Sequence, residues 1–154
     1  GRVISRDVSD YKVSLIDDNI ERLGISNIDV QVYNALDKDD SLVGKADIVI
    51  ADLPCSGLGI MGRKPDIRYN ISPEKISDII RLQRDILEVV SMYVKPGGTL
   101  VYSTCTINRS ENEDNADWIC TSLGFTRDGE YVQMLPSPDK DNDGFFVARL
   151  IKNR

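Results

Sequence analysis

Two periodicities alternate along the chain. Val3 to Asp7 reads as a short strand. Val13, Ile16, Ile20 and Leu23 then recur at helical spacing, with Ser9 placed to cap the N-terminus and Gly24 to stop the helix. A second strand is predicted from Ile28 to Tyr33, followed by a polar stretch from Leu36 to Lys45. Ile48 to Ala51 is a continuous apolar run, the pattern of a strand buried on both faces. It ends in Asp52-Leu53-Pro54-Cys55-Ser56-Gly57, where proline and glycine demand a loop.

Ser72-Pro73 opens the longest predicted helix, whose buried face is Ile76, Ile79, Ile80, Ile86, Leu87 and Val90. Lys95-Pro96-Gly97-Gly98 should end it and lead into a strand from Thr99 to Ser103. Ser110 and Glu113 have the spacing of a capping box, ahead of a helix with Ala116, Ile119, Cys120 and Leu123 turned inward. The remainder predicts two strands, near Phe125 to Arg127 or Tyr131 to Leu135, and Gly144 to Ile151. Alternating strands and helices imply an α/β fold with a mostly parallel sheet covered on both faces. Ligands of such sheets sit beyond the carboxyl ends of the strands, and Asp7, Asn34, Asp52 and Cys105 all fall there.

Composition narrows the chemistry. A chain of 154 residues, 41% hydrophobic and 29% charged, fits one soluble domain. No apolar run approaches the ~18 residues that a membrane span needs. The chain has no histidine, which removes Ser-His-Asp triads, Cys-His dyads and histidine-based zinc sites, and no metal is expected. Its 3 cysteines include no C-x-x-C pair, which suits a reducing, cytoplasmic setting. With 19 basic against 25 acidic residues, a net charge of −6 argues against a surface that grips nucleic acid everywhere. Arg63, Lys64 and Arg68, beside Tyr69, form the clearest basic cluster. On charge alone it is a solvated loop; its place just after Cys55 makes phosphate contact plausible.

Other candidates weigh differently. Asp7, between a strand and a helix, suits a ribose hydroxyl as well as it suits a helix dipole. Asp139-Lys140-Asp141-Asn142-Asp143-Gly144 imitates half an EF-hand loop, but Leu150 stands where the closing Glu belongs, so calcium is rejected. Cys120 lies on an apolar helix face and reads as structural. Cys55 and Cys105 sit at polar ends of two strands expected to be neighbours, which lifts them above inert thiols.

Asp52-Leu53-Pro54-Cys55-Ser56-Gly57 together with Tyr102-Ser103-Thr104-Cys105-Thr106 resembles the RNA 5-methylcytosine methyltransferases of the bacterial Sun/Fmu type. Arg63-Lys64-Pro65-Asp66-Ile67-Arg68, Lys95-Pro96-Gly97-Gly98, Glu111-Asn112-Glu113 and Asp143-Gly144-Phe145-Phe146 extend the likeness nearly end to end. The resemblance implies a class I S-adenosylmethionine-dependent, Rossmann-like methyltransferase fold acting on a cytosine of small-subunit ribosomal RNA. It implies that Cys105 attacks carbon 6 of the base, that Cys55 assists release, and that Asp52 holds the cytosine edge and faces the cofactor. It places Asp7 on the cofactor ribose and Asn34, usually an Asp, beside adenine, and it gives Arg63, Lys64 and Arg68 to the RNA.

The Gly-rich cofactor turn of such folds lies ~20 residues before the ribose-binding acid. Only six residues precede Asp7, so the first strand, that turn and the family's N-terminal RNA-binding region are expected to be missing: 1–154 reads as part of a catalytic domain. The gap between the strands ending at Asp7 and Asp52 should then leave exposed edges, met by rearrangement, by pairing with a second copy, or by an open cleft. Two rivals remain: an amino-group methyltransferase, whose loop would carry an aromatic where Cys55 stands, and a non-catalytic RNA-binding module.

Overall fold

The computed structural model describes residues 1–137, 139 and 141–154. The chain divides into two compact units, Gly1–Asp39 and Asp40–Arg154. In the first, β1 (Val3–Asp7) and β2 (Ile28–Val32) pair in parallel across the helix α1 (Asp10–Leu23). Ser9 Oγ accepts from Lys12 N–H, and Gly24, at φ 64°, ends α1 in the left-handed region. The predicted apolar face is only half-buried at Val13, Ile16 and Ile20, and Leu23 is exposed.

The second unit holds a mixed sheet in the order β3 (Ala46–Asp52), β4 (Val94–Thr104), β7 (Phe145–Lys152) and β5 (Phe125–Arg127), with β6 (Val132–Met134) also on β7. β3 and β4 are parallel, while β7 runs antiparallel to β4, β5 and β6. Between Cys55 and β4 come the short α2 (Ile67–Asn70) and the long α3 (Pro73–Ser91); α4 (Glu113–Ser122) follows β4. Ser72 caps α3 and Pro73 opens it, as the sequence predicts.

The buried core lies on one face of this sheet. Ala51, Leu100, Tyr102, Phe146, Ala148 and Leu150 point there, against Leu87 of α3 and Ala116 and Ile119 of α4. The Tyr102 and Phe146 rings meet edge to face at 6.1 Å. The prediction of a sheet covered on both faces is therefore corrected. Ile48 and Ile50 point away from the helices and are 62% and 72% exposed, because no element of this unit covers that side of β3.

Three boundaries also differ from the sequence reading. α3 stops at Ser91 and β4 begins at Val94, so Pro96-Gly97-Gly98 lies within a strand rather than between elements. The register slips there: Ala46 pairs with Val94 but Ile48 with Thr99. Gly98 allows the slip because a Cβ on it would meet Asp47 O at 2.9 Å. Ser110 and Glu113 form no capping box; burial of Glu111 and Asn112 holds a 3-10 turn at Arg109–Glu111, and α4 starts after it. Both alternative C-terminal strands exist, as β5 and β6.

Candidate active site

The parallel register Asp52↔Ser103 makes β3 and β4 leave the sheet side by side. Leu53 N–H still donates to Ser103 O at 3.2 Å, so the two exit loops begin in contact. Cys55 and Cys105 are thereby brought together, with Sγ atoms 3.2 Å apart and both thiols free. Asp52, on the exposed side of β3, accepts from Ser103 Oγ at 3.0 Å. Burial, and next the hydrogen bond with Cys105, push the Cys55 thiol up to about 12. Cys55 thus keeps its proton at neutral pH, and either thiol can be the donor of the pair.

Glycines pack the Cys55 loop against its neighbours. Gly57, at φ 69°, turns the chain after Ser56. Gly59 N–H donates to Cys105 O at 3.1 Å, and Gly59 O accepts from Gly144 N–H at 2.7 Å. A Cβ on Gly59 would stand 2.5 Å from Gly144 O and 2.8 Å from Cys105 O. The Asp143-Gly144 segment is therefore part of the wall that holds the cysteine loops, though its sequence alone shows only a turn.

Beneath the loops lies a buried polar network. Glu111, fully buried, accepts from Ser56 N–H at 2.7 Å and from Ser56 Oγ at 2.6 Å. Asn112 Oδ1 accepts from Thr104 Oγ1 at 2.6 Å, while its Nδ2 donates to Thr106 O and Gln133 Oε1. Gln83 of α3 reaches Pro54 O at 2.8 Å and accepts from Asn115 Nδ2 at 2.8 Å. Glu111 and Asn112 entered the sequence reading only as part of the Glu111-Asn112-Glu113 likeness, and Gln83 not at all; their signal is polarity at positions whose helical neighbours are core.

A cavity of about 430 Å³ opens beside Cys55, lined by Arg63, Lys64, Asn70 and Lys75 among others. Arg63 also pairs with Asp143 at 2.9 Å, an exposed contact. Among the described residues Lys64 and Arg68 make no ion pair, and Arg68 does not line the cavity. Lys75, at the start of α3, was missed by sequence reading; it donates to Asn70 O at 2.7 Å. The EF-hand-like stretch forms no group of three metal-ligating side chains among the described residues, and Lys140 lies outside them.

Asp7 and Asn34 lie in the N-terminal unit, at the carboxyl ends of its paired strands. Asp7 accepts from Ser9 N–H at 2.9 Å and pairs with Lys12 at 3.3 Å, remaining partly exposed. Asn34 Oδ1 accepts from Leu36 N–H at 3.1 Å, and the residue is exposed. A partly exposed strand-end carboxylate and an exposed amide are chemically suited to the hydroxyls and ring nitrogens of a nucleoside. Cys120 packs against the core, and burial raises its thiol.

The model of one protein family, described as 16S rRNA methyltransferase RsmB/F, matches residues 1–151. The chain belongs to this family. It is 35% identical to ribosomal RNA small subunit methyltransferase F of Salmonella paratyphi A, over 99% of this chain and 35% of that relative. The corresponding Klebsiella pneumoniae protein is 33% identical over the same shares. RsmB/F relatives of this kind are thus about three times as long as the segment they match. Among solved structures, PH0851 superposes with a TM-score of 0.82 at 30% identity, covering 99% of this chain and 37% of that one. NSun6 from Pyrococcus horikoshii, solved with SFG, gives 0.81 at 26%, covering 100% and 42%. An N-methyltransferase from Bradyrhizobium japonicum, in complex with S-adenosyl-l-homocysteine, shares the fold alone, at 14% identity and a TM-score of 0.61. The RsmB/F chain therefore has the class I fold of the S-adenosylmethionine-dependent methyltransferases, and S-adenosylmethionine is the cofactor of that fold family. No helix among the described residues is long and apolar enough to cross a membrane.

Proposed function

We propose that this chain is part of a catalytic domain that methylates carbon 5 of a cytosine in small-subunit ribosomal RNA, in the cytoplasm, through a covalent adduct on Cys105. The observation that carries the reading is the pair of thiols 3.2 Å apart at the ends of adjacent parallel strands. An amino-group methyltransferase has no use for a second thiol there. The exposed Ile48 and Ile50, on a strand at the end of its sheet, support a domain continued by chain outside residues 1–154.

Carbon 5 of cytosine is too weak a nucleophile to take a methyl group unaided. Cys105 thiolate adds to carbon 6, and the electron pair displaced from the ring double bond makes carbon 5 nucleophilic. Asp52 accepts from the exocyclic amino group and orients the ring. Asp7, Asn34 and Asp52 would hold S-adenosylmethionine, which would supply the electrophilic methyl group, its sulfur keeping the bonding pair as S-adenosylhomocysteine leaves. Loss of the carbon-5 proton to water then restores the double bond and expels Cys105 as thiolate. Cys55, protonated, donates its S–H to the departing sulfur and lowers the cost of that charge. Arg63 and Lys64 at the cavity, and Arg68 outside its lining, hold RNA phosphates. Replacing Lys64 or Arg68 by Ala should weaken RNA binding and each reduce the salt slope by about 1.

The test uses the full-length protein with S-adenosylmethionine and small-subunit ribosomal RNA carrying 5-fluorocytosine. Fluorine blocks the final deprotonation, so the adduct should survive a denaturing gel. An adduct lost in Cys105→Ser and kept in Cys55→Ser supports both roles; no adduct from protein that binds both partners refutes the reaction.

A further inference from the structure

Cys55 is gripped on both sides by buried side chains. Gln83 Nε2 donates to Pro54 O at 2.8 Å, and Ser56 N–H donates to Glu111 Oε2 at 2.7 Å. The Ser56 hydroxyl donates to Glu111 Oε1 at 2.6 Å, because a carboxylate can only accept. Its oxygen is then left to accept from the Thr106 hydroxyl at 2.8 Å, and Thr106 Oγ1 accepts from Asn108 N–H at 3.3 Å. Asn108 Nδ2 donates to Oε1 at 2.9 Å. Apart from the Gln83–Pro54 bond, each of these runs toward Glu111, and Gln83 Nε2 also lies 3.5 Å from Glu111 Oε2.

Glu111 is fully buried and, among the described residues, has no ion-pair partner. A carboxylate in such a place costs stability unless several donors converge on it. Here they converge from the loop that carries Cys55 and from the turn that follows Cys105. Two of the bonds come from Ser56, the residue next to Cys55, and none reaches the Cys105 thiol. We propose that Glu111 is a positioning residue for Cys55, acting through Ser56 to hold that thiol against Cys105 during product release. The inference rests on the reaction proposed above.

Glu111→Gln keeps the size of the side chain and replaces one acceptor with an N–H₂ group. Whichever way the amide turns, donor faces donor, either at Ser56 N–H or at Asn108 Nδ2. Cys55 should shift while Cys105 stays in place. A misplacement of about 1 Å costs on the order of 100-fold in rate, and here the loss should fall on elimination rather than on attack. Methylated RNA should therefore stay attached to Cys105.

The experiment incubates the full-length protein with S-adenosylmethionine and ordinary small-subunit ribosomal RNA. It measures the first methyl transfer, steady-state turnover and covalent complex on a denaturing gel. Support is a Glu111→Gln protein with near-parental first transfer, turnover reduced on the order of 100-fold, and an adduct that Cys105→Ala abolishes. Turnover like the parent's overturns the proposal. So does an equal loss of first transfer and turnover with no adduct, which is what simple loosening of the fold would give. Ser56→Ala keeps the backbone bond and should show the same adduct more weakly; it carries the test alone if Glu111→Gln does not fold. A parent that forms no adduct even on 5-fluorocytosine RNA overturns the reaction itself, whereas a parent that does, beside a Glu111→Gln protein that accumulates none on ordinary RNA, overturns only the role of Glu111.

Discussion

The N-terminal unit and the larger unit start from the same design, a strand followed by a serine-capped helix, and differ in what that helix covers. In Gly1–Asp39 no residue is fully buried; the unit is held by the β1–β2 ladder, by Arg6 stacked 4.0 Å over Tyr33, and by the Arg6–Asp39 pair. In Asp40–Arg154, α3 and α4 close over one face of the sheet and fully bury Leu87, Tyr102, Phe146 and Leu150. Polar residues are buried there as well, in a network that joins both cysteine loops. A two-stranded sheet with one helix removes too little apolar surface from water to offset its ordering entropy. The larger unit can therefore hold the rigid chemistry, while the smaller one offers only strand-end polar groups.

The largest effect that could break this comparison is in the core. Leu87→Ala should cost about 2–5 kcal/mol in urea unfolding of the intact chain. Ile16→Ala, on the half-buried face of α1, should cost under about 1 kcal/mol from partial loss of apolar burial. Equal costs would show that the two units are supported alike. Next comes Gly59→Ala, whose Cβ meets backbone on two sides; overpacking there should cost about 1–3 kcal/mol. The same substitution should disturb the Cys55–Cys105 pair, read as a loss of trapped 5-fluorocytosine adduct.

The two helix caps sharpen the contrast. Ser9→Ala and Ser72→Ala remove equivalent bonds, each worth ~1 kcal/mol. Hydrogen exchange should report the first only within 1–39 and the second across α3 and the strands beneath it. The smallest effect is in pH dependence. The raised Cys55 thiol means that the folded protein holds this proton more tightly than the unfolded chain does. Its contribution is complete below the ordinary value of 9.0 and is lost as pH climbs through about 12. Cys55→Ser should flatten the fall in stability above pH 9.0, and an unchanged slope would place the loss elsewhere.

The sequence by itself determined most of the elements and which side chains were candidates for chemistry. Capping residues, glycine stops and helical spacing fixed α1 and α3 because those signals act within a few residues. Zero histidines removed the histidine-based chemistries, and the two cysteine motifs at strand ends carried the resemblance to the RNA 5-methylcytosine methyltransferases. Tertiary structure decided what depends on residues far apart in the chain. It put one face of β3 outside the core, since burial of Ile48 and Ile50 depends on what packs there and not on their hydrophobicity. It absorbed Pro96-Gly97-Gly98 into β4, because the slip in register against β3 suits a strand without side chains at that point. It also turned Glu111 from a helix-start residue into the buried acceptor of the Cys55 loop. That bond spans 55 positions, and no periodicity reaches so far.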